Sequence, residues 1–255
     1  MTELNQGDES QTELWDDPSK DFRQRYQFPE QFIWEDSDLA RIDFDGYMRV
    51  VLDLLPTDKQ KILDVGCGPG LGSQFMIEAG HSVEGIDYSE RAIQYANILV
   101  PDGIFNAVDI RNLVEMEAYH GRFDVATHIE VFEHIPPEYY SKVLEGIHKS
   151  LRSDGFLIMS VPSLQLSKNK WHYKHFDRAE LSSILKEHGF EPQDIVNQHV
   201  IYPFHWQKIW RFIQNSKYDL RFVRKWIRTA FLKRYNTTTN PQHAGRYIVK
   251  AKKVE

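Results

Sequence analysis

A chain of 255 residues, 41% of them hydrophobic, is long enough to bury one sizeable core with an appended lobe. Its 37 acids against 31 bases leave a net charge of −6, which argues against general nucleic-acid binding. One cysteine, Cys67, excludes a disulfide framework and points to a cytosolic compartment. Nothing approaches the roughly 18 consecutive apolar residues of a membrane span. Met1 to Ser10 have neither the basic start nor the apolar core of a signal peptide, so the expected location is cytoplasmic.

Residues 1–60 hold 15 acids and six bases, and the first 20 are expected to form a disordered acidic tail. From Asp21 the composition turns aromatic, with Phe22, Tyr26, Phe28, Phe32 and Trp34. Tyr47, Val50, Val51 and Leu54 then recur at helical spacing, and Pro56 ends that helix. The run Lys61-Ile-Leu-Asp-Val-Gly-Cys-Gly-Pro-Gly70 reads as a buried strand entering a glycine turn, with a helix starting near Pro69-Gly70. Glycines at 66, 68 and 70 remove the Cβ atoms that would keep a ligand off the backbone. A second strand, Val83-Glu-Gly-Ile-Asp87, ends on a carboxylate about 20 residues after the turn begins, where a nucleotide fold grips ribose hydroxyls. A dinucleotide fingerprint would need glycine at 71, which is Leu71, and a phosphate loop would need a lysine that Pro69-Gly-Leu-Gly-Ser73 lacks.

Further strands are expected at 104–109, 123–129, 155–161, 194–201 and 246–254. Val143, Leu144, Ile147 and Leu151 form one helical face, introduced by Pro136-Pro137 and stopped at Asp154-Gly155. Asp177-x-x-Glu180 predicts a capping box before Leu181, Ile184 and Leu185. Strands alternating with helices imply an α/β fold, a doubly wound and mostly parallel seven-stranded sheet that binds ligand at its carboxyl edge. The main domain is expected over 21–201 and 245–255. Residues 202–244 read as a basic, aromatic helical insertion, in which Trp206, Ile209, Trp210 and Ile213 share one face and Phe222, Trp226 and Ile227 another. That stretch holds nine bases, with Asp219 as its one acid.

The pattern Asp64-x-Gly66-x-Gly68-x-Gly70, with Asp87 beyond it, resembles motif I of the class I S-adenosylmethionine-dependent methyltransferases. The resemblance covers roughly residues 43–200 and 245–255, and implies a last strand inserted antiparallel. It also implies that Asp64 helps place the methionine amino group, with Gly66, Cys67, Gly68 and Gly70 forming the cradle. Asp87 would take the ribose hydroxyls, and Tyr88 would pack beside the adenine. Asp109 would accept the adenine amino group, with Ile110 in contact. His128 and Ile129 match cofactor-side positions at the end of the fourth strand.

Glu130-x-x-Glu133-His134 resembles a stretch shared by ubiquinone-pathway O-methyltransferases and small-RNA 3′-end 2′-O-methyltransferases, where acid, acid and histidine can hold a divalent metal. A metal would need a further ligand, for which His172 or His175 is the candidate. The metal-free reading, in which a carboxylate orients the ring, is favoured. His134 is then the base that removes a proton from a hydroxyl acceptor. The resulting expectation is O-methylation of a small-molecule or lipid-linked acceptor, with RNA 2′-O-methylation as the alternative. A non-catalytic scaffold of the same fold would not need acids at 64, 87 and 109. The 202–244 lobe reads as an interfacial element for an anionic membrane, a lid over an anionic substrate, or a packing element.

Overall fold

Ile62, Leu63 and Val65 are entirely buried, and their strand, β1 (Lys61–Val65), lies inside a seven-stranded sheet rather than at its edge. The computed structural model describes residues 28–33, 39–167, 170–199, 221–234 and 236–255. The expected tail at 1–20, and the helical face through Trp206, Ile209, Trp210 and Ile213, lie outside the described residues. The other strands are β2 (Ser82–Asp87), β3 (Ile104–Ala107), β4 (Phe123–Ile129), β5 (Leu151–Pro162), β6 (Phe190–Gln198) and β7 (Arg246–Lys253). Their order is β3-β2-β1-β4-β5-β7-β6. The first five run parallel, and β7 pairs antiparallel with both β5 and β6, as the family resemblance implies.

Side chains two apart along a strand share a face, so the sheet sorts its apolar residues into two layers. Ile62, Val83, Val125, Ile158 and Ile248 pack with Phe44, Met48 and Val51 of α1 (Leu39–Leu54) and Leu71 and Met76 of α2 (Leu71–Glu78). Leu63, Val65, Leu157, Met159 and Val249 pack on the opposite face. Their partners are Val143, Leu144 and Ile147 of α4 (Tyr140–Ser150) and Leu181 and Leu185 of α5 (Arg178–Glu187). Between α2 and α4, α3 (Glu90–Leu99) starts at Ser89, whose hydroxyl accepts the Ala92 N–H. Helices on both faces make the sheet doubly wound, as the alternation of elements predicts.

Three boundaries depart from expectation. β5 begins at Leu151 because Leu151 pairs with Phe123 ahead of a register shift, so α4 ends at Ser150 rather than at Asp154-Gly155. β6 begins at Phe190, which is buried, and tolerates Pro192 by a register shift between Pro192 and Asp194. β3 stops at Ala107, and Asp109 turns the chain by accepting the Arg111 N–H at 2.9 Å. At α5, Asp177 accepts the Glu180 N–H at 2.8 Å, but the Glu180 carboxylate pairs with Lys174 instead of closing the box. Between β6 and β7 in sequence lies α6 (Arg221–Arg234), anchored by Leu232 and by an ion pair from Arg228 to the buried Asp45 of α1.

Candidate functional site

β1 is followed by three glycines in the left-handed region, at φ +84° (Gly66), +53° (Gly68) and +91° (Gly70). Gly66 and Cys67 donate their N–H groups to the Ile86 carbonyl, which pins the turn against β2. The Gly68 N–H donates to Asp87 Oδ2 at 3.0 Å, and the Ser89 N–H to Asp87 Oδ1 at 2.9 Å. Burial still pushes the Asp87 carboxyl up to about 6, although both hydrogen bonds pull the other way. On β1, Asp64 accepts the Ser73 hydroxyl at 2.6 Å and the Thr127 hydroxyl at 2.9 Å, and burial raises its pKa as well. Neither carboxylate has an ion-pair partner among the described residues. Two buried acids without a counter-charge suit a ligand that brings donors or positive charge.

A cavity of about 620 Å³ runs from these acids along the carboxyl ends of the strands. That is room for a small-molecule ligand. Asp64, Gly66, Cys67, Gly68, Asp87, Tyr88, Ile110 and Ile129 line it, and His134 lies on the same wall beyond β4. Three residues expected at the cofactor are not among the lining. Gly70 caps α2, where an added Cβ would sit 3.2 Å from Ala96 Cβ, so its glycine serves the packing of α2 on α3. Asp109 offers both carboxylate oxygens to Arg111, at 2.9 Å for Nε to Oδ2. His128 is wholly buried, with Nδ1 2.8 Å from the Val65 carbonyl oxygen, and burial lowers its pKa to about 4. It is a neutral ring that ties β4 to β1. Burial also holds Cys67 as a thiol.

The far end of the cavity is built by the segment after β4. His134 Nδ1 lies 2.8 Å from the Trp171 carbonyl oxygen, and its ring meets that of His172 edge-on, 4.7 Å between centroids. His172 Nδ1 lies 2.7 Å from His175 Nε2. Glu133 is buried, and burial together with the charge of Glu130 holds its carboxyl well above the usual range. One ligand atom each from Glu133, His134 and His172 falls within 4.8 Å of the others, so these three could hold a metal ion. His175 lines the cavity but is outside that group. Glu130 is outside it too: its Oε1 accepts the Ser160 hydroxyl at 2.8 Å, and its Oε2 lies 2.7 Å from Arg246 Nε.

The sequence reading missed the polar hub around Arg246. This first residue of β7 holds Asp43 of α1, donates to Gln198 at 2.7 Å and lies over the Tyr47 ring. Asp43, Tyr47, Glu130 and Arg246 all line the cavity. One signal was available in the sequence. An antiparallel last strand begins where its parallel neighbours end, so its first residue is delivered to the ligand edge.

The chain is similar to known methyltransferases in sequence and in fold. A family described as "Methyltransferase domain" matches residues 39–195. A ubiquinone biosynthesis O-methyltransferase of Pseudomonas aeruginosa (strain LESB58) is 31% identical over 159 residues, covering 54% of this chain and 67% of that protein. A probable S-adenosylmethionine-dependent methyltransferase of Mycolicibacterium smegmatis is 28% identical, covering 52% of each. Among solved structures, the Burkholderia thailandensis 1,6-didemethyltoxoflavin-N1-methyltransferase with bound S-adenosylhomocysteine matches at TM-score 0.56. It is 20% identical, with 93% of this chain and 87% of that chain covered, and supports the fold. With the matched family spanning the glycine turn and both strand-end acids, the chain belongs to the class I S-adenosylmethionine-dependent methyltransferases.

Proposed function

We propose that this enzyme moves the methyl group of S-adenosylmethionine to a hydroxyl oxygen of a small or lipid-linked acceptor, with His134 as the base. The observation that carries this reading is one cavity lined at one end by Asp64, Gly68 and Asp87 and at the other by Glu133 and His134. In this reading Asp87 accepts the ribose hydroxyls, Asp64 faces the methionine amino group, and Tyr88 and Ile110 flank the adenine. Asp109, fixed by Arg111, meets the adenine amino group, while Gly70 and His128 act from behind the wall. The sulfonium carries an activated methyl group, so displacement needs the acceptor oxygen in line at about 3 Å, and positioning supplies most of the gain. His134 takes the hydroxyl proton as the O–C bond forms and the sulfur keeps the electron pair of the broken S–C bond.

A catechol carrying a short prenyl chain is a suitable probe, since the Pseudomonas aeruginosa relative is named for ubiquinone O-methylation. Incubated with S-adenosylmethionine, it should give a methyl ether and S-adenosylhomocysteine in equal amounts by mass spectrometry. Methylation of amine probes alone, with no ether formed from any hydroxyl probe, would refute the oxygen acceptor.

A lipid-linked acceptor is supported by α6. Phe222 and Trp226 are 83% and 61% exposed, and Lys225 and Lys233 are exposed beside them. The helix contains no acid, and its Arg228 and Leu232 anchor it to the body. Aromatic rings with flanking lysines suit an anionic bilayer surface. Among the described residues no helix is long and apolar enough to cross a membrane. The protein is expected to co-sediment with vesicles containing phosphatidylglycerol and not with phosphatidylcholine alone, by about 1 kcal/mol per engaged base. A Phe222→Ser/Trp226→Ser variant should lose that binding; wild-type protein that ignores both vesicle types would exclude the contact.

A second reading rests on Glu133, His134 and His172. Among the described residues the Glu133 Oε2, buried in the cavity wall, has no hydrogen-bond partner, which suits a cation ligand. Those three residues would hold a divalent ion, and a bound ion would supply Lewis-acid polarisation of the acceptor oxygen. Turnover lost to chelation and restored by added magnesium or zinc would establish this reading. Turnover indifferent to chelators leaves His134 as the base.

A further inference from the structure

Glu130 is the one non-glycine residue among the described residues with φ in the left-handed region, at +56°. Glutamate gains nothing from that conformation, so the surroundings must impose it. Three contacts do so. The Glu130 N–H donates to Ser160 Oγ at 3.0 Å, the Ser160 hydroxyl donates back to Oε1 at 2.8 Å, and Oε2 is ion-paired with Arg246 at 2.7 Å. Arg246 is held in turn by its neighbours: Nη2 donates to Asp43 Oδ2 at 3.2 Å, Nη1 donates to Gln198 Oε1, and the guanidinium lies 4.7 Å from the Tyr47 ring centre. The clamp therefore joins the end of β4, the end of β5, the start of β7 and the cavity face of α1.

Directly after Glu130 the chain leaves the sheet and makes the turn that carries Glu133 and His134. A change of φ at Glu130 would swing that turn as a unit, because the hinge lies at its root. The geometry points to Arg246 and Glu130 as positioning residues that set the direction in which His134 faces the acceptor. Arg246 is 7% exposed and engages both Asp43 and Glu130. Its charge is thus spent inside the protein, and its task is to hold Glu130 rather than to dock an anionic substrate. This inference rests on His134 acting at the acceptor, and it adds how the residue is aimed.

Removing Arg246 would strand two half-buried carboxylates and endanger folding, so the decisive variants are at Glu130. Glu130→Gly accepts a positive φ freely and loses both side-chain tethers, whereas Glu130→Gln keeps the length and can still bridge Ser160 and Arg246. With S-adenosylmethionine and the prenyl catechol, Glu130→Gly should lose on the order of 100-fold in kcat, the scale of a small misplacement. Its affinity for S-adenosylmethionine by calorimetry should match wild type, which also reports an intact fold. Glu130→Gln should recover most of that loss. In ¹⁵N-histidine spectra the His134 resonances should move in Glu130→Gly and return in Glu130→Gln. Unmoved His134 resonances in Glu130→Gly would overturn the proposal, as would Glu130→Gln failing alongside it. If His134→Ala turned over like wild type, the base assignment would have failed, and the histidine spectra would still decide the clamp.

Discussion

Asp87→Ala should weaken binding of S-adenosylmethionine by at least about 100-fold, the worth of two charge-assisted hydrogen bonds. The carboxylate closes β2 with the Gly68 and Ser89 N–H groups already on it, so its orientation is fixed before any ligand arrives. Calorimetry on wild type, Asp87→Ala and Asp87→Asn checks this, and wild-type affinity in the alanine variant would disprove the ribose assignment. A pH dependence follows. Burial raises Asp87 to about 6, and ribose hydroxyls, being donors, favour the ionised acid. Cofactor affinity should therefore fall as pH drops through about 6, and Asp87→Asn should flatten that profile. The stability sign is opposite. A carboxyl raised in the folded state contributes stability below its unfolded pKa, and that contribution is lost as pH rises through the folded value of about 6.

His134→Ala should reduce kcat by about 10²- to 10⁴-fold, the usual range for a general base, while cofactor affinity stays within a few-fold. The separation is expected because His134 sits beyond β4, on a segment that shares no hydrogen bond with Asp64 or Asp87. Its Nδ1 contact with the Trp171 carbonyl fixes that nitrogen as the N–H donor in the neutral ring, which leaves Nε2 as the proton acceptor. Release of S-adenosylhomocysteine from the prenyl catechol reaction measures the loss. Undiminished release would remove His134 from the chemistry.

The glycine-turn end of the cavity was legible in the sequence because its residues lie close together along the chain. A glycine turn and two strand-end acids each declare themselves within a few residues, and parallel strands bring them to one edge. A glycine that admits a ligand and one that admits a neighbouring helix look alike in sequence, and at Gly70 it takes the structure to show that an added Cβ would sit 3.2 Å from Ala96 Cβ. Glu130 was grouped with Glu133 and His134 by spacing, but spacing carries no φ. The left-handed turn sends its carboxylate back to Ser160 and Arg246, away from the cluster. Asp43 and Arg246 are 203 positions apart and meet only because β7 inserts antiparallel between β5 and β6. Nothing in either local pattern reports that meeting.

The decisive measurement is a crystal structure of the protein with S-adenosylhomocysteine. The ribose should lie on Asp87, the methionine end beside Asp64 and the glycine turn, and the sulfur should face Glu133 and His134 across a gap that an acceptor hydroxyl can fill. A cofactor whose sulfur points away from His134, or whose adenosine occupies the His134–His172 end, would contradict the shared cavity on which the proposed transfer depends.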